Sequence, residues 1–440
     1  MKKLTFLFSF SILLMLSLAA CKPNNTINPE PEPESDPIED SNEYAYIQSK
    51  SAKRGVSFSW QMNEDFGLLG PAVSWSYNWA NVSASVQENL YQQYGIQFIP
   101  MCWNNSYSAD NIANYYAAHT DKQNYLLGYN EPNLTDQANM TPTQAAEHWG
   151  DIVSLAKDNN ARLISPAMNW GTLAGYSNGV QWLQEFFKLV NPDDIYGIAV
   201  HIYMNAAKST LGDLQRYKVF GKPLWLTEFC AWDGCSSSAA QCQFMSQCIN
   251  ALEQDDDLER YAWFIPRGGY ATEEAPFMSL LTKTKPYSLT ERGVLFVNMS
   301  SFDKNAVYPC GKRIPAEHYR ACSVDENFAS PFIAICTDLT GVLQIDGLAL
   351  NQWMDYQIDV KSGVKAFQIR YTATRESEIT IYRVDESGNE TELLAVALPK
   401  TESKTDWKSL TVDFTPTAGK QVLRLKCTKG LPRINWFKLK

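Results

Sequence analysis

Two glutamates stand where apolar runs end. Glu131 lies in Gly128-Tyr129-Asn130-Glu131-Pro132-Asn133, directly after Tyr125-Leu126-Leu127, and Glu228 closes Pro223-Leu224-Trp225-Leu226-Thr227. Paired carboxylates can break glycosidic bonds. One, protonated, donates to the leaving oxygen, while the other attacks the anomeric carbon or activates water. The pair works only if one starts protonated and the other charged. Trp60, Trp103, Trp170 and Trp263 fall at or just beyond the ends of other β-rich runs, and Trp232 follows the run that Glu228 closes. Such rings can stack on the apolar faces of pyranoses. Trp225 inside its run, and Trp149 and Trp182 on helical patterns, read as core. The chain has 4 His, and no His-Glu-x-x-His string. A multi-histidine metal site is therefore not expected, and neither is a cofactor for catalysis.

These residues must be positioned by an alternating framework. Eight β-rich runs are predicted: Gly55–Trp60, Ala72–Trp79, Gln97–Trp103, Tyr125–Asn130, Arg162–Met168, Ile195–Tyr203, Pro223–Glu228 and Tyr261–Ile265. Helical patterns lie between them. Val82–Tyr94 ends at Gly95, a helix-terminating residue. Thr141-Pro142 opens a helix running to Asn159, with an N-cap and a proline at the first position. Val180–Val190 gathers Trp182, Phe186, Phe187 and Val190 on one face. Strand–helix alternation implies a parallel sheet, and eight repeats in about 250 residues fit a closed (β/α)8 TIM barrel. An open doubly wound sheet would want a glycine-rich phosphate loop after its first strand, and none is present. In such barrels chemistry sits at the C-terminal strand ends, where both glutamates fall.

The chain is 440 residues with 48 acidic and 38 basic groups, a net charge of −10. That balance argues against nucleic-acid binding. Lys2 and Lys3 precede an apolar run to Ala20, which reads as an export signal over 1–20. Residues 21–48 carry a Pro-Glu repeat, Pro29-Glu30-Pro31-Glu32-Pro33-Glu34, and are expected to form a stretched acidic linker. Residues 49–305 form the strand–helix region. From 306 to 440 short alternating strands, such as Met354–Val360 and Ala366–Tyr371, predict an all-β sandwich. There are 10 Cys. The spacing of Cys230, Cys235, Cys242 and Cys248 is too loose for a zinc site, so one or two disulfides are expected in an exported chain.

The strings carry resemblances. Leu18-Ala19-Ala20-Cys21 resembles a bacterial lipobox, which implies cleavage before Cys21, lipid attachment there, and anchoring to the bacterial cell envelope at the outer membrane or cell surface. Asn130-Glu131-Pro132, the terminal Glu228 and His201-Ile202-Tyr203 resemble the retaining barrel hydrolases of clan A. That likeness implies Glu131 as general acid/base, Glu228 as nucleophile and Asn130 as donor to the substrate 2-hydroxyl. Tyr203 would bond the nucleophile, His201 would line the site, and Trp263 would stack on sugar. Together with Lys53-Arg54-Gly55 and Trp75-Ser76-Tyr77-Asn78-Trp79, these strings are similar to glycoside hydrolase family 128, which implies endo-cleavage of β-1,3-glucan by a monomer. Other β-glycans of clan A, or a silent glycan-binding surface lipoprotein, are the alternatives. Ala316-Glu317-His318-Tyr319, Trp353-Met354-Asp355-Tyr356 and Asn435-Trp436-Phe437 resemble a family 6 carbohydrate-binding module. This implies a jelly roll with a structural calcium on Glu317. Two aromatics usual for sugar contact are missing from its loops.

Overall fold

The computed structural model describes residues 43–83, 87–232, 234–268 and 277–440. The export signal, Cys21 and the linker up to residue 42 lie outside the described residues. Residues 43–48, expected in the linker, are instead docked. Ala45 is buried, Tyr44 bridges to Arg313, and Gln48 donates to the carbonyls of His318 and Tyr319. Tyr44, Ala45 and Tyr46 interrupt the Pro-Glu composition: Ala45 joins the core, and the Tyr46 ring meets those of Tyr44 and His318.

Eight strands follow: β1 (Arg54–Ser57), β2 (Trp75–Tyr77), β3 (Gln97–Phe98), β4 (Asn124–Leu127), β5 (Ala161–Ile164), β6 (Ile198–Ile202), β7 (Leu224–Phe229) and β8 (Leu258–Trp263). Their pairings are parallel and cyclic. Six form the order β3-β2-β1-β8-β7-β6, β4 pairs with β5, and the bridges Met101–Leu127 and Ile164–Gly197 join the two groups. Between the strands run α1 (Asn63–Leu69), α2 (Glu88–Gln93), α3 (Ala109–Ala118), α4 (Pro142–Glu147), α5 (Trp149–Asp158), α6 (Gly179–Phe186), α7 (Ala207–Gln215) and α8 (Ser238–Gln254), with α9 (Glu291–Asn298) after β8. Thr141 and Gln144 close a capping box at the start of α4. The single helix expected to Asn159 breaks at His148, whose φ of −112° and ψ of 2° leave the helical region. The break lets Trp149 turn into the core beneath Gly128.

Alternation along each strand decides what faces inward. Trp75, Tyr77, Met101, Tyr125, Leu127, Trp225 and Ala262 form the inner cluster, whereas Val56, Phe58, Trp60, Leu226, Tyr261 and Trp263 pack outward beneath the helices. Gly55 is required because a Cβ there would lie 2.4 Å from the Trp75 ring. The guanidinium of Arg260 lies 5.5, 4.7 and 5.0 Å from the rings of Trp75, Tyr125 and Trp225 and fills the floor of the ring. On β7 the register slips against β6, because Val200 faces Leu226 while His201 faces Glu228. Thr227 is the extra residue. This bulge moves Glu228 onto the inward side, where simple alternation would have placed it outward.

Three neighbouring cations tie helix ends together. Lys50 Nζ donates to the Gly70 and Val73 carbonyls beyond α1 and to Tyr94 at the end of α2, and Lys53 Nζ to carbonyls ending α8. Arg54 donates to Phe296, Met299 and Ser300 at the end of α9 and pairs with Glu253 at 3.0 Å. Each cation meets the negative end of a helix dipole.

The remaining strands are β9 (Tyr308–Pro309), β10 (Ile314–Pro315), β11 (Ala321–Cys322), β12 (Ile333–Ile335), β13 (Leu343–Ile345), β14 (Trp353–Val360), β15 (Ala366–Thr372), β16 (Ser377–Val384), β17 (Glu390–Leu398), β18 (Lys408–Asp413), β19 (Gly419–Lys429) and β20 (Arg433–Leu439). They form two sheets, β12-β13-β20-β15-β18 and β11-β14-β19-β16-β17, with β10 on β20 and β9 on β14. Inward residues such as Tyr356, Phe367, Ile381, Leu425 and Phe437 are fully buried. Trp353 is not core. It is half-buried, and the guanidinium of Arg424 lies 3.5 Å over its ring. Buried polar contacts join this all-β part to α8. Tyr319 donates to Asn250 Oδ1 at 2.6 Å, and Asn250 Nδ2 donates to the Pro331 carbonyl at 2.9 Å.

The expected disulfides are absent among the described residues, where Cys102, Cys230, Cys235, Cys242, Cys248, Cys310, Cys322, Cys336 and Cys427 are all free. Cys242 and Cys248 sit six residues apart on α8, a separation of about 9 Å along the axis on different faces.

Candidate active site

A cleft of about 630 Å³ opens at the C-terminal ends of the ring strands. It is lined by Trp79, Trp103, Asn130, Glu131, Leu134, Asp136, Gln137, Asn169, Trp170, Thr172, Tyr203, Glu228, Trp232, Phe264 and Ile265. Another hollow, about 430 Å³ around Tyr115, holds Glu88 and His119, which pair with each other at 2.7 Å. Two buried carboxylates that share one imidazole, and a wall of aromatic rings, set the first cleft apart.

Glu131 follows β4 in the left-handed region, at φ 47°. That conformation costs about 1–2 kcal/mol for a residue with a Cβ. It is held by bonds from Glu131 N to the Ala167 carbonyl and from Leu134 N to the Glu131 carbonyl, both 3.0 Å. Asn169 Nδ2 donates to Glu131 Oε1 at 2.5 Å, and His201 Nδ1 lies 2.7 Å from the same oxygen. Glu228 receives three donors. Tyr77 and Trp79 each donate to Oε1 at 2.7 Å, and Tyr203 donates to Oε2.

One oxygen of Glu131, one of Glu228 and a ring nitrogen of His201 lie within 4.8 Å of one another. His201 Nε2 is 3.5 Å from Glu228 Oε1. Such a trio has the spacing to hold a cation, yet its carboxylate oxygens are already met by N–H and O–H donors that a cation would have to displace. The set suits proton transfer. Burial pushes the Glu228 carboxyl above its usual range, and the charge of Glu131 adds to the push. The imidazole of His201 and the hydroxyls of Tyr203 and Tyr77 pull it back. His201 itself is held above its ordinary value, because the two carboxylates outweigh the burial that opposes its charge.

The structure brings together Glu131, Glu228, Asn130, His201, Tyr203, Trp103 and Trp170. Asn130 Nδ2 donates to Gln137 Oε1 at 3.2 Å, and its Oδ1 is buried without a hydrogen-bond partner. Trp60 and Trp263 are corrections. Trp60 stacks on Phe66 and donates to Ser76 Oγ, and Trp263 is fully buried and donates to the Met278 carbonyl. Trp263 occupies an outward-facing strand position, and Trp60, three residues past β1, packs outward against Phe58, Phe66 and Tyr91. Phe264 takes the wall position expected of Trp263.

Tyr77, Trp79, Asn169 and Gln137 were missed. Tyr77 and Trp79 carry a readable signal, since they share the inward parity of Trp75. Asn169 and Gln137 come from loops and carry none. A nearly continuous run of ring contacts lines the wall: Trp170 to Tyr203 at 6.2 Å, Tyr203 to Trp232 at 5.4 Å, Trp232 to Phe264 at 5.7 Å and Phe264 to Trp79 at 6.0 Å.

Away from the cleft, Glu317 is fully buried, and its Oε2 has no hydrogen-bond partner. Burial pushes its carboxyl up to about 8. Among the described residues no group of His, Cys, Asp or Glu gathers with it. An unpartnered buried carboxylate oxygen fits a position beside a hard cation, which takes oxygen ligands.

Residues 55–296 match the family model of the glycosyl hydrolase catalytic core, and residues 321–440 that of the carbohydrate binding module (family 6). The crystal structure of a GH128 (subgroup II) endo-β-1,3-glucanase from Pseudomonas viridiflava is similar, with 35% identity and a TM-score of 0.52 over 57% of this chain and 98% of that one. A GH128 (subgroup II) endo-β-1,3-glucanase from Sorangium cellulosum shows 30% identity and a TM-score of 0.50 over 56% of this chain and 98% of that one. Alkali-sensitive linkage protein 1 of Schizosaccharomyces pombe is 25% identical over 229 residues, half of this chain, and this chain spans 39% of that protein's length. The chain belongs to the glycosyl hydrolase catalytic-core family and, within it, to glycoside hydrolase family 128.

Proposed function

We propose that this chain is a retaining endo-β-1,3-glucanase whose catalytic unit is a (β/α)8 barrel. The observation that carries it is the approach of Glu131 and Glu228, with oxygens within 4.8 Å of each other, inside an aromatic cleft. Retaining glycosidases hold their carboxyl groups about 5–5.5 Å apart, whereas inverting ones leave about 6.5–9.5 Å for a water.

In the first step Glu131 gives its proton to the glycosidic oxygen as the C1–O bond breaks, and a Glu228 oxygen bonds to C1. The three donors on Glu228 favour its anion for this attack. Once Glu228 is esterified, its negative charge is gone. Glu131 then takes a proton from water, the water oxygen bonds to C1, and the ester bond to Glu228 breaks. The ring wall from Trp170 to Trp79 offers stacking faces for successive sugars. The endo mode rests on the two subgroup II relatives. A jelly-roll C-terminal module with a calcium beside Glu317, a lipid on Cys21 and attachment of a monomer to a bacterial envelope complete the reading.

Incubation with laminarin, curdlan, a β-1,4-glucan and a mannan tests it. Release of laminari-oligosaccharides of several lengths by the wild type, and none by Glu131→Gln or Glu228→Gln, is expected. Cleavage of another glycan alone, or full activity in either variant, would overturn it.

A further inference from the structure

Two loops carry the acid/base side of the cleft, and two asparagines join them. Asn133, fully buried after Glu131-Pro132, donates to the Asn169 carbonyl at 2.7 Å and accepts from Asn169 N at 3.3 Å. The Asn133 carbonyl in turn accepts from Thr172 N and Leu173 N at 2.9 Å. Gly171 lies between them at φ 86°, and a Cβ there would sit 2.2 Å from the Tyr176 carbonyl. The backbone at Asn169 is therefore fixed from both sides.

Its side chain is fixed as well. Asn169 is 5% exposed, and its Oδ1 accepts the N–H of Trp170 at 2.8 Å. That bond uses the amide's acceptor and turns Nδ2, which can only donate, onto Glu131 Oε1 at 2.5 Å. His201 Nδ1 meets the same oxygen. Oε1 is thus occupied twice.

We infer that Asn169 is a positioning residue that reserves Oε2 of Glu131 as the oxygen that delivers and later recovers the catalytic proton. An N–H donor cannot face the proton of a carboxylic acid, and with His201 protonated both groups on Oε1 donate, so the acid form of Glu131 carries its proton on Oε2. In the second step the same donor stabilises the Glu131 carboxylate while Oε2 accepts the proton of water. Because Trp170 N–H orients the amide, the exposed Trp170 ring on the cleft wall is fixed to the same side chain that sets the acid.

This assignment rests on the hydrolase reading above, and the test separates the two. The groups facing Glu131 are His201 from β6, Glu228 from β7, Tyr77 from β2 and Tyr203 just beyond β6. Wild type, Asn169→Ala and Asn169→Asp are assayed on a laminari-oligosaccharide and on 2,4-dinitrophenyl β-laminaribioside, whose leaving group needs no proton. Asn169→Asp keeps an acceptor for Trp170 N–H should the alanine variant fold poorly.

In both variants kcat/KM on the oligosaccharide is expected to fall about ten- to a hundredfold, a part of what general acid catalysis contributes. On the dinitrophenyl substrate it stays within about twofold. The basic limb of the kcat/KM profile moves to higher pH, because a donor to the carboxylate is lost. Equal losses on both substrates, or an unmoved limb, would make Asn169 a packing residue and overturn the assignment. A wild type inactive on both substrates would overturn the hydrolase reading, and this assignment with it.

Discussion

Trp79 donates its indole N–H to Glu228 Oε1 across 2.7 Å from a backbone held at φ 61°. A tryptophan in the left-handed region is strained, and strain of this kind persists only where surrounding contacts impose it. Here it aims an N–H at the proposed nucleophile, beside the hydroxyl of Tyr77. Trp79→Phe keeps the ring and removes the donor. A hydrogen bond to a charged group contributes about 1.5–3 kcal/mol, so kcat/KM should fall about ten- to a hundredfold. The Glu228 anion loses support, so the acidic limb of the pH profile should move to higher pH. An unmoved acidic limb would show that Trp79 only packs.

Among the tryptophans predicted to touch sugar, Trp170 lines the cleft whereas Trp60 and Trp263 pack outward. Trp170, 59% exposed, should act on binding alone, so Trp170→Ala should raise KM severalfold with no change in Tm. Trp60→Ala and Trp263→Ala should instead lower stability by about 3–5 kcal/mol, the usual cost of removing a buried aromatic. Thermal unfolding beside steady-state kinetics checks both. A stable Trp263→Ala enzyme with raised KM would return that residue to the cleft.

Glu317 gives the C-terminal module a pH dependence of defined sign. Its folded carboxyl, near 8, lies above the ordinary 4.5. Its stabilising contribution is therefore complete below about pH 4.5 and is lost as pH rises toward 8. Glu317→Gln should flatten that decline in Tm. A calcium ion beside the carboxylate would favour its charged form, so millimolar calcium should restore the wild-type Tm at pH 8 and leave Glu317→Gln unchanged. An equal calcium response in both proteins would remove the ion from Glu317.

Asn250 joins the all-β part to α8 through Tyr319 and Pro331. Asn250→Ala removes the oxygen that accepts from the buried Tyr319 hydroxyl, a loss of about 1–3 kcal/mol. Calorimetry should show a Tm lower by several degrees, with kcat at 25 °C unchanged. An unaltered Tm would mean that the two parts are joined without this contact.

Much of the site was legible because strand ends in an alternating chain collect chemistry. Glu131, Glu228, His201 and Tyr203 all fall at such ends. The orientation of side chains was less legible. Trp263 ends β8 and Trp60 lies three residues past β1, both on the outward phase, which alternation from Gly55 and Ala262 could have indicated. Glu228 reaches the inward side through the bulge at Thr227, and no residue type announces a bulge at that position. Asn169 is set by a bond to its own neighbour's N–H and by Asn133, contacts that exist only once two loops meet. In the C-terminal part, β17 is hard to read because Leu393-Leu394-Ala395-Val396-Ala397-Leu398 lacks the polar alternation that marks a half-exposed strand.

On the proposed function the two close carboxylates act by double displacement, and the stereochemistry of the first product reports it. Proton NMR of a laminari-oligosaccharide during the first minutes of cleavage reads the new anomeric centre before mutarotation mixes it. Initial appearance of the β-anomer is the result this account expects. Initial appearance of the α-anomer would mean that water attacks directly, and would remove Glu228 as the nucleophile.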